Sequence, residues 1–342
     1  MLTVSHPRVR RYEELTHGDI KQLDRKKTMV IATFSPLEVH GDHLPLGQDM
    51  FEAYMLAMHT AAACAEGNPD WTFLLLAPIP IACDSVPQVG SVSMPGWFVR
   101  DTAIRLLKPF ALAGYGRLGY SSFHGGPRHF LGLEAAAKRL TRKFGVPTAS
   151  LFSMVLKRVE EGNVFMEGLK KALSDDQIKI DVEGLKKDHH GGMVETSLAL
   201  HLYPELVAPS WSEMPGSVPE APRKGSNDSF LYSYEGEPSL VEMLQRNKGV
   251  LDSFKRAIRH FRYNGYYGYP ALASAEQGKA MFEHLVELTN ESVNEFIRIG
   301  AEMDVHSPLW KLRTIALSRP GNWIMDHLIM PMQRELHGEA GA

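Results

Sequence analysis

The chain has 342 residues, 44% of them hydrophobic and 23% charged, enough for one large or two modest globular domains with ample core. Its 37 basic and 40 acidic residues give a net charge of −3 and form no long run of either sign, which argues against nucleic-acid binding or a polybasic membrane patch. No apolar stretch has the length of a membrane span, "MLTVSHPRVRRYEEL" at the N-terminus has no apolar signal-peptide core, and Cys64 and Cys83 sit singly in apolar surroundings, so a cytoplasmic protein with free thiols is expected.

Strand-like and helix-like segments alternate from the first buried-looking run onward. "TMVIATFS" (28–35) predicts a strand and "MFEAYMLAMHTAAACAEG" (50–67) a helix. Then come a strand at 71–82, a helix at 97–116 stopped by Gly114, a strand at 117–123, a helix at 127–145 and a strand at 146–154. This alternation predicts an α/β fold, a mostly parallel central sheet with helices on both faces. Residues 155–186 read as a charged helical excursion and 192–207 as a packed helix. The Pro-, Ser- and Gly-rich 208–238 reads as a long loop, followed by helices at about 239–264 and 273–302 and two shorter ones within 307–336. The chain is expected to divide into a main domain, 1–290, and a helical C-terminal extension, 291–342, serving as core, interface or lid.

"GYGRLG" (114–119) matches the dinucleotide-binding glycine pattern, but it follows a helix and opens a strand. A pyrophosphate site needs the reverse order, so a helix stop and tight turn is the better reading.

Chemistry is expected where strands end, because ligands gather at the carboxyl ends of parallel strands. Glu38, His40 and Asp49 follow the first strand, His124 follows the strand at 117–123, and His189, His190 and Glu195 stand where the helix at 192 begins. A lone histidine is usually just a satisfied polar residue, but three such clusters together suit a divalent metal bound through nitrogen and oxygen. In an extended Glu38-x-His40 both side chains share a face, and Asp49 can return to it and bridge two ions with its two oxygens.

These residues carry a resemblance. "LEVHGDHLPLGQD" resembles the E-x-H-G-x-H-L-P-L-G-T-D segment of the creatininase (creatinine amidohydrolase) family, and "FHGGPRH" is similar to its N-G-H-G-G-N. "HHGGMVETSLALHLYPELV" and "GYPALASAEQGKAMFEHLVE" resemble later family segments in the same order, so the match spans roughly 25–290. The resemblance implies a creatininase-like sandwich and a closed homo-oligomer, often a hexamer. It also implies a pair of divalent cations (Zn, Mn or Fe) that activate a water to attack a small amide. Position by position, Glu38 and His124 would hold one cation and His40 a second, Asp49 would bridge them, and Glu195 would complete the second site. His190 would be the general acid/base, and backbone N–H groups near Gly125 or Gly191, or at the following helix start, could hold an oxyanion. Arg128 and His129 are weaker candidates for substrate contact.

Some positions depart from the family. Ser122, Phe123 and Pro127 replace Asn, Gly and Asn, Gln48 replaces Thr, and Gly126 stands where creatininase has a further carboxylate ligand. No tryptophan occurs between Trp97 and Trp211, where creatininase has those that close over its substrate, which points away from creatinine itself. The expectation is therefore hydrolysis of a non-peptide C–N bond in a small, possibly cyclic, amide. The competing reading is a degenerate member that binds metal or ligand without turnover.

Overall fold

The computed structural model describes residues 5–155, 164–219, 256–300, 303 and 306–334. Strand β2 (Thr28–Thr33) is buried along its whole length, as a strand covered on both faces must be. It is the middle of a five-stranded parallel sheet with β1 (Val9–Arg11), β3 (Thr72–Leu75), β4 (Arg117–Ser121) and β5 (Thr148–Ser150), ordered β1-β3-β2-β4-β5. Met29 lies opposite Phe73 on one side and Arg117 on the other, which fixes the register.

Helices α1 (His17–Gln22), α2 (Gln48–Gly67), α3 (Gly96–Leu112), α4 (Pro127–Phe144), α5 (Val164–Ala172), α6 (Met193–Leu202) and α7 (Ala275–Ile299) accompany the sheet. The period-two alternation of β2 and β3 divides the core. Met29, Ile31, Phe73 and Leu75 face Met55 and Leu56 of α2, Leu198 of α6 and Met281, Leu285 and Phe296 of α7. Val30, Ala32 and Leu74 face Val99, Ala103 and Leu107 of α3 and Leu133, Ala137 and Leu140 of α4. The sheet, its direction and its helix-covered faces are as the alternation of segments led one to expect.

The differences in extent have local causes. β3 ends at Leu75 because Pro78 and Pro80 cannot donate to a ladder; beyond it Leu76 N donates to Ile31 O and a bridge joins Phe34 and Ile79. β5 stops at Ser150 and 151–155 turns helical. Pro204 closes α6 at Leu202 and opens a short 3₁₀ turn, Pro204–Leu206. β1, with three residues paired only to β3, carried too little pattern to be foreseen. Residues 156–163 of the charged excursion, 220–238 of the long loop and 239–255 of the next expected helix lie outside the described residues, while 256–264 is helical.

The "GYGRLG" segment covers the turn after α3 and the first three residues of β4. Gly114, at φ 75°, adopts the left-handed conformation just after the helix end.

α7 runs on past residue 290, and beyond it the described C-terminal segment contains Pro308–Leu312, Arg313–Ala316, Arg319–Ile324 and a π turn, Met325–Ile329. This segment packs on α3 and α4. Leu317 is buried against Phe130 and Leu131, and Ser307 donates to both oxygens of the buried Glu134. Asn322 Oδ1 accepts from Gly96 N at the start of α3 and from Arg128 of α4, and Asp326 pairs with the same guanidinium at 2.7 Å.

Candidate metal centre

At the carboxyl end of β2 the chain enters a loop that carries Glu38 and His40 and then begins α2, whose second residue is Asp49. The loop is pinned by Glu38 N donating to Leu46 O, 2.8 Å, and Gly41 N to Gly265 O, 2.9 Å. His124 follows β4, and Glu195 lies in the first turn of α6. The fold brings all five expected ligands together. Glu38, Asp49 and His124 offer three ligand atoms within 4.8 Å of one another, and so do His40, Asp49 and Glu195.

Asp49 belongs to both groups. Its Oδ1 is 2.7 Å from His40 Nε2, and its Oδ2 is 3.0 Å from His124 Nδ1. Glu38 Oε2 lies 3.0 Å from the same His124 nitrogen, while its Oε1 accepts from Val86 N. Glu195 Oε2 is 3.7 Å from His40 Nε2 and accepts from Gly191 N, which the left-handed turn at Gly191 (φ 58°) aims at it.

The outer nitrogens fix the tautomers. His124 Nε2 donates to Cys83 O at 2.9 Å and His40 Nδ1 donates to Glu38 O at 3.0 Å, so His124 Nδ1 and His40 Nε2 are left with inward lone pairs when the rings are neutral. His40 Nε2, Asp49 Oδ2 and Glu38 Oε2 are buried with no hydrogen-bond partner. Inward lone pairs, three carboxylates and no thiolate make a donor set that fits divalent cations.

Without a cation the cluster must hold protons instead. Burial works against charge on His40, but the carboxylates of Asp49 and then Glu195 overcome it and raise its pKa to about 10. Burial likewise opposes charge on His124, and Glu38 and Asp49 outweigh it. Burial lifts the Glu195 carboxyl to about 7 despite the neighbouring His40. A cation and a proton compete for the same His40 lone pair, so affinity should rise from pH 6.5 to 9, by up to about tenfold per unit for each proton displaced. Proton release during Zn²⁺ titration in weakly buffered solution checks this; uptake with no proton release would contradict it.

His190 stacks on His40, ring centroids 4.0 Å apart. Its Nε2 donates to Val39 O at 2.7 Å, which leaves Nδ1 as the ring atom able to take a proton. Burial, reinforced by the adjacent His40, lowers its pKa to about 3, so the ring is neutral at pH 7. His190, Gly125 and Glu195 line a cavity of about 170 Å³, together with His189, whose ring packs edge-on against Tyr267.

Two further candidates point elsewhere. Arg128 is buried, its guanidinium shared among Asp84, Asn322 and Asp326. His129 is fully buried, with Nε2 at 3.0 Å from Ser122 Oγ and 3.3 Å from Phe34 O. The amides that open α6 are also committed, since Met193 N and Val194 N both donate to Asp188.

Asp188, Asp84, Glu52 and Thr196 did not stand out in the sequence as supporting residues. Asp188 ties the start of α6 to Tyr269 N, 2.9 Å away, and Asp84 accepts from Arg128 N at the start of α4. The helix start that each serves follows a glycine, Gly192 or Gly126, which has no side chain to cap it. Glu52, one turn after Asp49, is held by Gln48 at 2.7 Å; burial and then the Glu195 and Asp49 charges raise its pKa strongly. His43 reaches across to Thr196 Oγ1 at 2.8 Å, anchoring the ligand loop to α6.

Residues 13–293 match the profile of a family described as creatinine amidohydrolase. Among solved structures, a putative creatinine amidohydrolase from Bacteroides fragilis is similar at 17% identity and TM-score 0.57, over 89% of this chain and 99% of that one. A creatininase described with Mn is similar at 18% identity and TM-score 0.53, over 83% of this chain and 97% of that one. A mutant creatininase complexed with creatine matches at 17% identity and TM-score 0.54, covering 84% of this chain and 98% of that one. At these identities the structural likeness concerns the fold. No curated protein matches the sequence.

Proposed function

The chain belongs to the creatininase family, and on that premise we propose that it is a metal-dependent amidohydrolase that cleaves a non-peptide C–N bond in a small, possibly cyclic, amide. The observation that carries the proposal is Asp49, whose two oxygens face two histidine lone pairs belonging to different ligand groups. Glu38 and His124 would hold one divalent cation and His40 and Glu195 the other, with Asp49 offering an oxygen to each group. When bound, such a pair polarises the amide carbonyl and lowers the pKa of water from about 15.7 to near 7.

The protein's own part is to orient and to move protons. The Cys83 and Glu38 carbonyls fix the two imidazole tautomers, and Gly191 N steadies Glu195. His190, neutral and tethered through Nε2 to Val39 O, takes a proton at Nδ1 and returns it to the departing nitrogen as the C–N bond breaks. The two free, buried cysteines fit a reducing, cytoplasmic setting. We read the working form as a closed homo-oligomer, a hexamer by family resemblance, and residues 291–342 as an extension whose described part is packed against the main domain. No helix among the described residues is long and apolar enough to cross a membrane.

The test is a screen of amides, lactams and formamides with Mn²⁺- or Zn²⁺-loaded protein, repeated after chelation and with His190→Ala. Hydrolysis should require the cations. His190→Ala should keep them and lose about 10²–10⁴-fold in turnover. Hydrolysis that persists after full metal removal, or an unimpaired His190→Ala, would reject the mechanism.

A further inference from the structure

The cavity beside the ligand cluster has a wall chemistry that the reaction does not explain. His190, Glu195 and Gly125 form its inner edge. Away from that edge it is bounded by Leu56, Leu151, Phe152, Val155, Phe165 and Leu285.

The polar residues along the wall have few free groups to offer. Ser121 Oγ donates to Ala53 O and Thr289 Oγ1 to Leu285 O, while Ser122 Oγ lies between Ser35 and His129. The Asp188 carboxylate receives three backbone N–H groups. Thr60 Oγ1 is the exception, buried with no partner. No lysine or arginine stands among the described residues of the wall.

A group rich in hydrogen-bond donors would lose its water here and find almost nothing to replace it, which costs about 1–3 kcal/mol for each unpaired polar group. An apolar group gains by entering. The size is informative as well: an apolar cavity of about 150 Å³ accepts benzene, and this one is about 170 Å³.

We infer that the substrate amide carries one ring-sized apolar group, a phenyl or a branched alkyl of similar volume, that fills this cavity while its carbonyl lies at the Glu38–Asp49–His40 cluster. The inference rests on the amidohydrolase reading and narrows it, because it disfavours compact polar cyclic amides. Phe165 and Leu285, on α5 and α7, are the walls that select this group, and both lie outside the ligand set.

Hydroxamates test the two layers separately, since the hydroxamate end engages bound cations whatever the pocket holds. Acetohydroxamate, benzohydroxamate and N-phenylacetohydroxamate are titrated calorimetrically into the Mn²⁺-loaded full chain and into the chelated chain. At least one phenyl-bearing ligand should bind the loaded protein ten times or more tighter than acetohydroxamate, a difference of about 1.4 kcal/mol. Phe165→Ala should cut that ratio below threefold and leave acetohydroxamate binding unchanged. Equal affinities for all three in the wild type would overturn the pocket inference and leave the metal centre standing. An unchanged ratio in Phe165→Ala would overturn its assignment to this wall. If no hydroxamate binds the loaded protein, the amidohydrolase reading falls and the inference with it.

Discussion

Asp49→Ala is expected to empty both halves of the metal centre together, taking bound Mn²⁺ from about two ions per chain to nearly none, with loss of turnover. Asp49 alone gives an oxygen to both the Glu38–His124 group and the His40–Glu195 group. Glu195 serves only one of these two bridged groups, so Glu195→Gln should keep roughly one ion and act as the internal comparison. The stability consequence is separable. A ligand at 1,000 times its dissociation constant stabilises the folded state by about 4 kcal/mol, and the variant should forfeit that increment when metal is added. Elemental analysis of dialysed protein and thermal unfolding with and without Mn²⁺ measure both effects. Two ions retained in Asp49→Ala would remove the bridging assignment.

The second large effect lies farther from the reacting atoms. Arg128 is buried, and its guanidinium is held by Asp84 at 2.6 Å, Asn322 at 3.0 Å and Asp326 at 2.7 Å. Arg128→Ala leaves Asp84 buried without its cation, a change that costs about 3–5 kcal/mol. Urea unfolding of the metal-free protein measures it, and a loss below about 1 kcal/mol would contradict the account. Asp84 follows Cys83, whose carbonyl orients His124, and Asp84 itself sits at φ 66°, so it is held in the left-handed region. Loosening this corner should weaken metal binding about 10–100-fold, the range seen when an orienting partner of a ligand is lost. Asp326 is 27% exposed, so Asp326→Asn should show the milder form of both effects.

The proposed ligands stood out as candidates because each stands just past a strand end or at a helix start, whereas their division between two cations came only from the family resemblance. What escaped the sequence was the support. Asp84 reads as an ordinary loop acid; only the folded chain shows that it serves the start of α4, 44 residues away. Arg128 and His129 drew attention by following the His124 loop. The first turn of α4 carries one towards the C-terminal segment and the other towards Phe34 O. The 3.6-residue stripe after residue 290 announced a packed surface but not its destination, because a stripe has no memory of which helix will receive it.

The clamp on Arg128 also sets an order of events in the cell. Asn322 and Asp326 lie 194 and 198 residues beyond it in the chain. At synthesis rates of about 5–20 residues per second, the guanidinium waits roughly 10–40 s on the ribosome with Asp84 as its one acidic clamp residue. During that interval the loop that aims His124 lacks its outer brace. The centre can therefore reach its final shape only after residue 326 has been made, which favours loading a cation onto the folded chain over trapping one while that segment is still missing.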